Sequence, residues 1–287
     1  MRNPNAAFQV RVNTTSLLRP ACLRLLTAAA LSVGVLIPFP GGAAASQVVP
    51  HLATYKLSLA SSRSSATVTG VDGAMSYAWK DACDGWTVEQ RFQVRFTYVE
   101  GEQVELSTSY VTWEAKDGSA YRFNVRKLTN GELEEELRGD ATLNGADGGV
   151  ARFERPDRKE LALRPGTLFP TAHTIRMLDL ARKGDNFLSA PIFDGSEADG
   201  ASGVSALIAK PAKVGDLKTR SRDLVRERGW PVFMAFFPTD TQEMLPEYET
   251  KLTILDNGVV ESMLIDYGDF KVRAVLESLE AAPKPPC

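Results

Sequence analysis

Three kinds of residue in this chain could do chemistry: two histidines, three cysteines and a short acidic loop bounded by glycine. His51 and His173 stand far apart without further donors at metal-ligand spacing, so together with Cys83 and Cys287 they make no zinc set. A nucleophilic serine would need a G-x-S-x-G elbow and a reachable base, and the elbow is missing. The run Asp194-Gly195-Ser196-Glu197-Ala198-Asp199-Gly200 resembles a calcium loop, yet Ala198 falls on a ligand position and the sixth place lacks its glycine. A polar connection is its expected role, with a cation or partner contact through Asp194 and Ser196 as the alternative. His173 could serve as a base, but no acid or nucleophile is identifiable beside it, so a histidine hydrogen-bonded to the preceding loop is the expectation. Glu132, Glu134, Glu135 and Glu136 read as a solvated strand edge. Trp79, Trp86, Trp113 and Trp230 read as core or rim residues, with ligand lining as the alternative. No catalytic, cofactor or metal residue is assigned, and neither an enzyme nor a cofactor is expected. His173, Asp194, Ser196 and Trp113 are retained as candidate contacts for a ligand or partner.

Compartment decides what the cysteines do, and the amino terminus points to the compartment. Arg2, Arg11, Arg19 and Arg24, with no acidic residue among them, precede the apolar run Leu25 to Ile37, after which come Pro38, Gly41, Gly42 and three alanines. That order is a secretory signal peptide. Its apolar core, about 13 residues against the ~20 that cross a bilayer, reads as a leader and leaves the mature chain without a membrane span. Small residues place cleavage after Ala45, giving residues 1–45 as leader, 46–287 as one mature domain, and the periplasm as destination. Cys22 precedes the apolar run, where a lipidated cysteine would have to follow it. Cys83 and Cys287 then remain in an oxidising compartment as a disulfide candidate, two free thiols being the alternative. Such a bridge would close a loop of about 205 residues, with about 5 kcal/mol as the upper figure for its stabilisation. Loss of the leader removes four arginines and no acid, which takes the formal net charge from −3 to −7. An acidic domain offers no footprint for nucleic acid.

Period-two alternation is the dominant local signal. Trp86, Val88, Phe92, Val94, Phe96 and Tyr98 fall on one face, while Thr87, Glu89, Arg91, Gln93, Arg95 and Thr97 fall on the other, with Gln90 the one interruption. Val104 to Ala115 continues after a turn at Gly101, with Val111 and Trp113 on one face and Leu106, Thr108 and Tyr110 on the other. Asp117-Gly118, Asn130-Gly131, Asn144-Gly145, Gly148-Gly149 and Asp256-Asn257-Gly258 punctuate further β segments, about 12 to 14 in total by pattern. Thr171 to Lys183 breaks the pattern: Ile175, Met177, Leu178 and Ala181 recur at helical spacing between a Thr cap and Gly184. One helix on a large antiparallel sheet favours a curved or spiral sheet over a flat one. Charges at Glu89, Arg91, Arg95, Arg122 and Arg126 on the outward face exclude an outer-membrane barrel.

The leader, Cys83 within Trp79-Lys-Asp-Ala-Cys-Asp-Gly-Trp86, the segment Leu163-Arg-Pro-Gly-Thr-Leu-Phe-Pro-Thr-Ala-His173 before the helix, Phe193-Asp-Gly-Ser-Glu197 and a terminal cysteine together resemble the envelope integrity protein B family of periplasmic proteins. The resemblance covers essentially residues 46–287. It implies a mainly β fold, a single antiparallel β-spiral or open barrel of about fourteen strands with one helix, similar to the lipoprotein carriers LolA and LolB and the sensor RseB. It also implies a Cys83–Cys287 disulfide, a role in envelope integrity under stress, and a periplasmic tetratricopeptide-repeat partner. A carrier of lipid or lipoprotein in a concave apolar face is the alternative function.

Thiol labelling of the exported protein is expected to modify no cysteine before reduction and two after it, on a chain that starts at Ser46. Reactive thiols before reduction would refute the pairing.

Overall fold

The computed structural model describes residues 48–64, 66–215, 217, 219, 221–238 and 245–287, and the leader reading at 1–45 lies outside these residues. Among the described residues fifteen strands form one antiparallel sheet. The first eight are β1 (His51–Ser62), β2 (Val68–Asp81), β3 (Gly85–Tyr98), β4 (Gln103–Ala115), β5 (Ala120–Thr129), β6 (Glu132–Leu143), β7 (Gly149–Arg155) and β8 (Lys159–Leu163). Helix α1 (Pro170–Lys183) follows. The chain then continues through β9 (Phe187–Ile192), β10 (Ser202–Ile208), β11 (Ala212–Lys213), β12 (Arg228–Phe237), β13 (Tyr248–Leu255), β14 (Val260–Asp266) and β15 (Phe270–Ala281). The count exceeds the expected range through the two-residue β11, which pairs only with β12.

Strand order is β8-β7-β6-β5-β4-β3-β2-β1-β15-β14-β13-β12-β10-β9. Two meanders therefore share a seam in which the first strand pairs with the last, from His51 opposite Ala281 to Ser62 opposite Phe270. Alternation explains the buried face: Ala53, Tyr55 and Leu57 on β1 are each 2 % exposed, whereas Thr54 and Lys56 between them face water. Asn130 and Gly131 both hold positive φ, 53° and 85°, as a two-residue turn matched to strand twist requires. The sheet curls, because Tyr110 and Tyr121 on β4 and β5 bond to Asp194 just beyond β9, at the opposite end of the strand order. It stays open, with β8 and β9 as its edges.

Three apolar clusters fill the concave side. One centres on the β1–β15 seam and includes Met75, Val272 and Leu279, and a second gathers Tyr121, Phe123, Phe153, Phe169 and Phe193. The third packs Met177, Leu178 and Ala181 of α1 against Leu188, Ala206, Val232 and Ile254, together with Trp79. Gly184 ends α1 in the left-handed region, its N–H bonding Ala181 O at 3.2 Å. The start of α1 departs from expectation. Thr171 is no cap; Phe169 occupies the N-cap position and Pro170 begins the helix.

Cys83 lies in the turn between β2 and β3 and is bonded to Cys287, 204 positions further along the chain, with Cα atoms 6.0 Å apart. The bridge returns the tail beyond β15 to the start of the fold, where Ala282 N–H also bonds Pro50 O at 3.1 Å. Cys83→Ser is expected to cost about 2–4 kcal/mol, which for a chain of this size lowers Tm by roughly 5–15 °C. Calorimetry of the purified variant checks this.

Candidate functional site

Strand β4 presents alternate residues to the concave side, among them the polar Tyr110, Thr112 and Glu114. Glu114 is 2 % exposed. Its Oε2 accepts from Thr171 N–H and its Oε1 from Ala172 N–H, both at 2.7 Å. Those are orphan donors of the first helical turn, so a carboxylate 57 positions away does the work of an N-cap side chain. Negative charge there also meets the positive end of the helix dipole. Burial nevertheless dominates and pushes the carboxyl up to about 7, with the two helix amides pulling it down. Both oxygens are engaged, so Glu114 fixes the helix to the sheet rather than presenting a base.

A second polar group adjoins it. The hydroxyls of Tyr110 and Tyr121 lie 2.9 Å apart; Tyr121 donates to Asp194 O at 3.1 Å, and Tyr110 bonds to the same oxygen. Burial raises both phenols well above the usual range. Phe169 stacks on Tyr121 with centroids 4.9 Å apart, which joins the helix start to this pair. The Asp194 carboxylate accepts from Ser196 N–H at 2.9 Å and Ser196 Oγ at 2.8 Å. Ser196 O in turn accepts from Lys127 Nζ at 3.0 Å, and Lys127 pairs with Glu135 at 2.8 Å and Glu197 at 3.1 Å. Gly195 is held at φ 73° under Phe123, where a Cβ would come within 2.4 Å of the ring. Asp194 and Ser196 thus tie the β9–β10 connection across β4 and β5.

His173 sits on α1 at 2 % exposure. Its N–H makes the ordinary helical bond to Phe169 O at 2.9 Å, and the side-chain bond expected to the preceding loop is not seen: Nε2 has no partner among the described residues. Burial, then Arg176, lowers its pKa to about 4. Trp113 does not join these residues. Together with Val111 it faces outward, where Arg122 covers its ring at 4.8 Å and Gly85 leaves room for the indole. No group of three His, Cys, Asp or Glu residues able to hold a metal occurs among the described residues, and none of their helices is long and apolar enough to cross a membrane.

Sequence reasoning passed over Glu114. Its signal was parity, an acid following Tyr110 and Thr112 on one face of a strand, together with a helix start that offers only Phe169 and Pro170 as caps. What neither feature discloses is that the two meet.

Fold and site together define a class: an open antiparallel β-barrel with its concave side filled by one sheet-capped helix. The EipB-like family pattern matches residues 42–283, and the chain belongs to that family. It is 32 % identical over 249 residues to the cell envelope integrity protein EipB of Brucella abortus (strain 2308), covering 84 % of this chain and 88 % of the relative. A crystal structure of a β-barrel-like protein of a domain of unknown function from Brucella abortus superposes with a TM-score of 0.76 at 31 % identity, over 83 % of this chain and 99 % of that one.

The raised Glu114 carboxyl has a definite sign in pH linkage. A folded value near 7 against 4.5 means its contribution is fully present below pH 4.5 and lost as pH rises to 7, on the order of 3 kcal/mol. His173 acts in the opposite sense, its contribution being lost as pH falls from 6.5 to about 4. The two offset each other in the wild type. Glu114→Gln removes one side of the balance, so its melting temperature is expected to fall more steeply than that of the wild type between pH 7 and 4.5. Parallel wild-type and variant curves would refute the linkage.

Proposed function

We propose that this protein works in the periplasm as a non-enzymatic component that maintains the cell envelope by binding a protein partner. The carrying observation is the filled concave side. Leu178 and Phe169 are completely buried, Met177 is 3 % exposed, and the helix that bears or adjoins them is locked to β4 through Glu114. A sheet whose hollow is occupied by its own helix has its outer face left for recognition. The disulfide supports an oxidising compartment. The relative's name, cell envelope integrity protein, supports the process. The tetratricopeptide-repeat partner implied by the family resemblance is the first candidate to test.

The engaged state of the polar groups supports a non-enzymatic role. Both oxygens of Glu114 are engaged by helix amides, and the Asp194 carboxylate accepts from the amide and hydroxyl of Ser196. Deletion of the protein is expected to sensitise the cell to detergent and β-lactams, with restoration by the wild-type chain. Native mass spectrometry of protein from the periplasm is expected to give the bare mass. Bound acyl chains would favour a lipid or lipoprotein carrier instead, and an insensitive deletion strain would refute the envelope role.

A further inference from the structure

Sheet edges present unpaired main-chain groups, which soluble proteins charge or cover. The two edges of this sheet are treated differently. Beside β8 the outward cross-strand row is Glu160, Arg152, Asp140 and Arg122, with Arg152 bonded to Glu160 at 3.1 Å and Asp140 at 3.6 Å. Beside β9 the corresponding row is Phe187, Leu207 and Phe233, directly opposite one another on β9, β10 and β12. They are 56 %, 50 % and 44 % exposed. A contiguous apolar row of this kind marks an interaction surface, whereas single exposed apolar residues need no explanation. Ser189, Ser205 and Ala235 run next to it, and a groove of about 400 Å³ opens beside the row, lined also by Glu249, Lys251 and Asp266 of β13 and β14.

The backbone of β9 is open along the same stretch. Ile208 N–H bonds Asn186 O at 2.8 Å, which sets the phase of the β9–β10 ladder. Antiparallel alternation then turns the main-chain groups of Phe187 and Ser189 away from β10. Further along, Leu168 N–H bonds Pro191 O at 2.9 Å and Phe193 N–H bonds Leu168 O at 3.1 Å, so that part of the edge is covered. No described residue bonds the main chain of Phe187 or Ser189, and both residues are exposed.

We propose that the β9 edge and the Phe187–Leu207–Phe233 row form the docking surface for an extended segment of a protein partner, added to β9 as a further strand whose apolar side chain continues the row. This rests on the partner-binding reading above and names its surface. Alternating donors and acceptors require a peptide backbone, which a lipid lacks. A second copy fits poorly. Two-fold pairing of β9 with β9 would engage only the stretch from Phe187 to Ser189 before each copy met the other's Leu168 segment and Pro191.

The test uses the full chain in a deletion strain of its own bacterium, with a photo-cross-linking amino acid in place of Leu207 or, on the charged edge, of Glu160. One discrete adduct with a different protein is expected at Leu207 and none at Glu160. Ser189→Pro removes an N–H that the sheet does not use, and is expected to reduce the adduct at least about tenfold with little change in melting temperature. Leu207→Glu is expected to fold and yet fail to restore detergent resistance, and it decides the matter alone if Ser189→Pro is unstable. A homodimeric adduct, an adduct indifferent to Ser189→Pro, equal adducts at both edges, or none, would overturn the docking surface. A sensitive deletion strain fully restored by both variants sinks this surface alone, whereas an insensitive deletion strain sinks the functional reading beneath it.

Discussion

Pairing of the first strand with the last is the constraint on which the fold depends. Without the β1–β15 ladder the chain would be two meanders, each with an extra open edge; with it, the sheet runs from β8 to β9 without a break. Contacts between residues more than 200 positions apart are entropically expensive to form. The Cys83–Cys287 bridge acts on that cost, since it holds the end of β15 beside the β2–β3 turn even when the ladder frays. Tyr55 adds a side-chain tie from β1 past the seam to β14, donating to Val260 O at 2.8 Å.

A second constraint is electrostatic. A buried helix start needs acceptors, and the side chains of Phe169 and Pro170 supply none. Glu114 meets that need from another strand, at the cost of burying a carboxylate where its charged form is disfavoured. His173, kept neutral two positions along the same helix, loses in acid what Glu114 gains there. The helix is therefore held in the sheet by polar bonds as well as by Met177, Leu178 and Ala181.

The outer face is divided. Around β6 to β8 it is a lattice of ion pairs such as Arg138–Glu154 at 3.1 Å and Arg152–Glu160 at 3.1 Å, each exposed and worth little in stability but effective in keeping an edge solvated. Around β9, β10 and β12 the same geometry carries phenylalanine and leucine.

What the sequence determined by itself was local and periodic. Alternation placed β3 and β4, glycine and asparagine marked turns such as the one between β13 and β14, helical spacing with Gly184 marked α1, and two cysteines after an expected export signal pointed to a bridge. These are legible because side-chain parity and φ preferences act over a few residues. Tertiary structure alone decided that Glu114 caps α1, that Trp113 faces outward under Arg122 while Asp194 and Ser196 are consumed within a connection, and that Phe187, Leu207 and Phe233 line up beside an open edge. Each of those depends on register between strands far apart in the chain, and a one-residue shift in register would turn the same side chains to the opposite face.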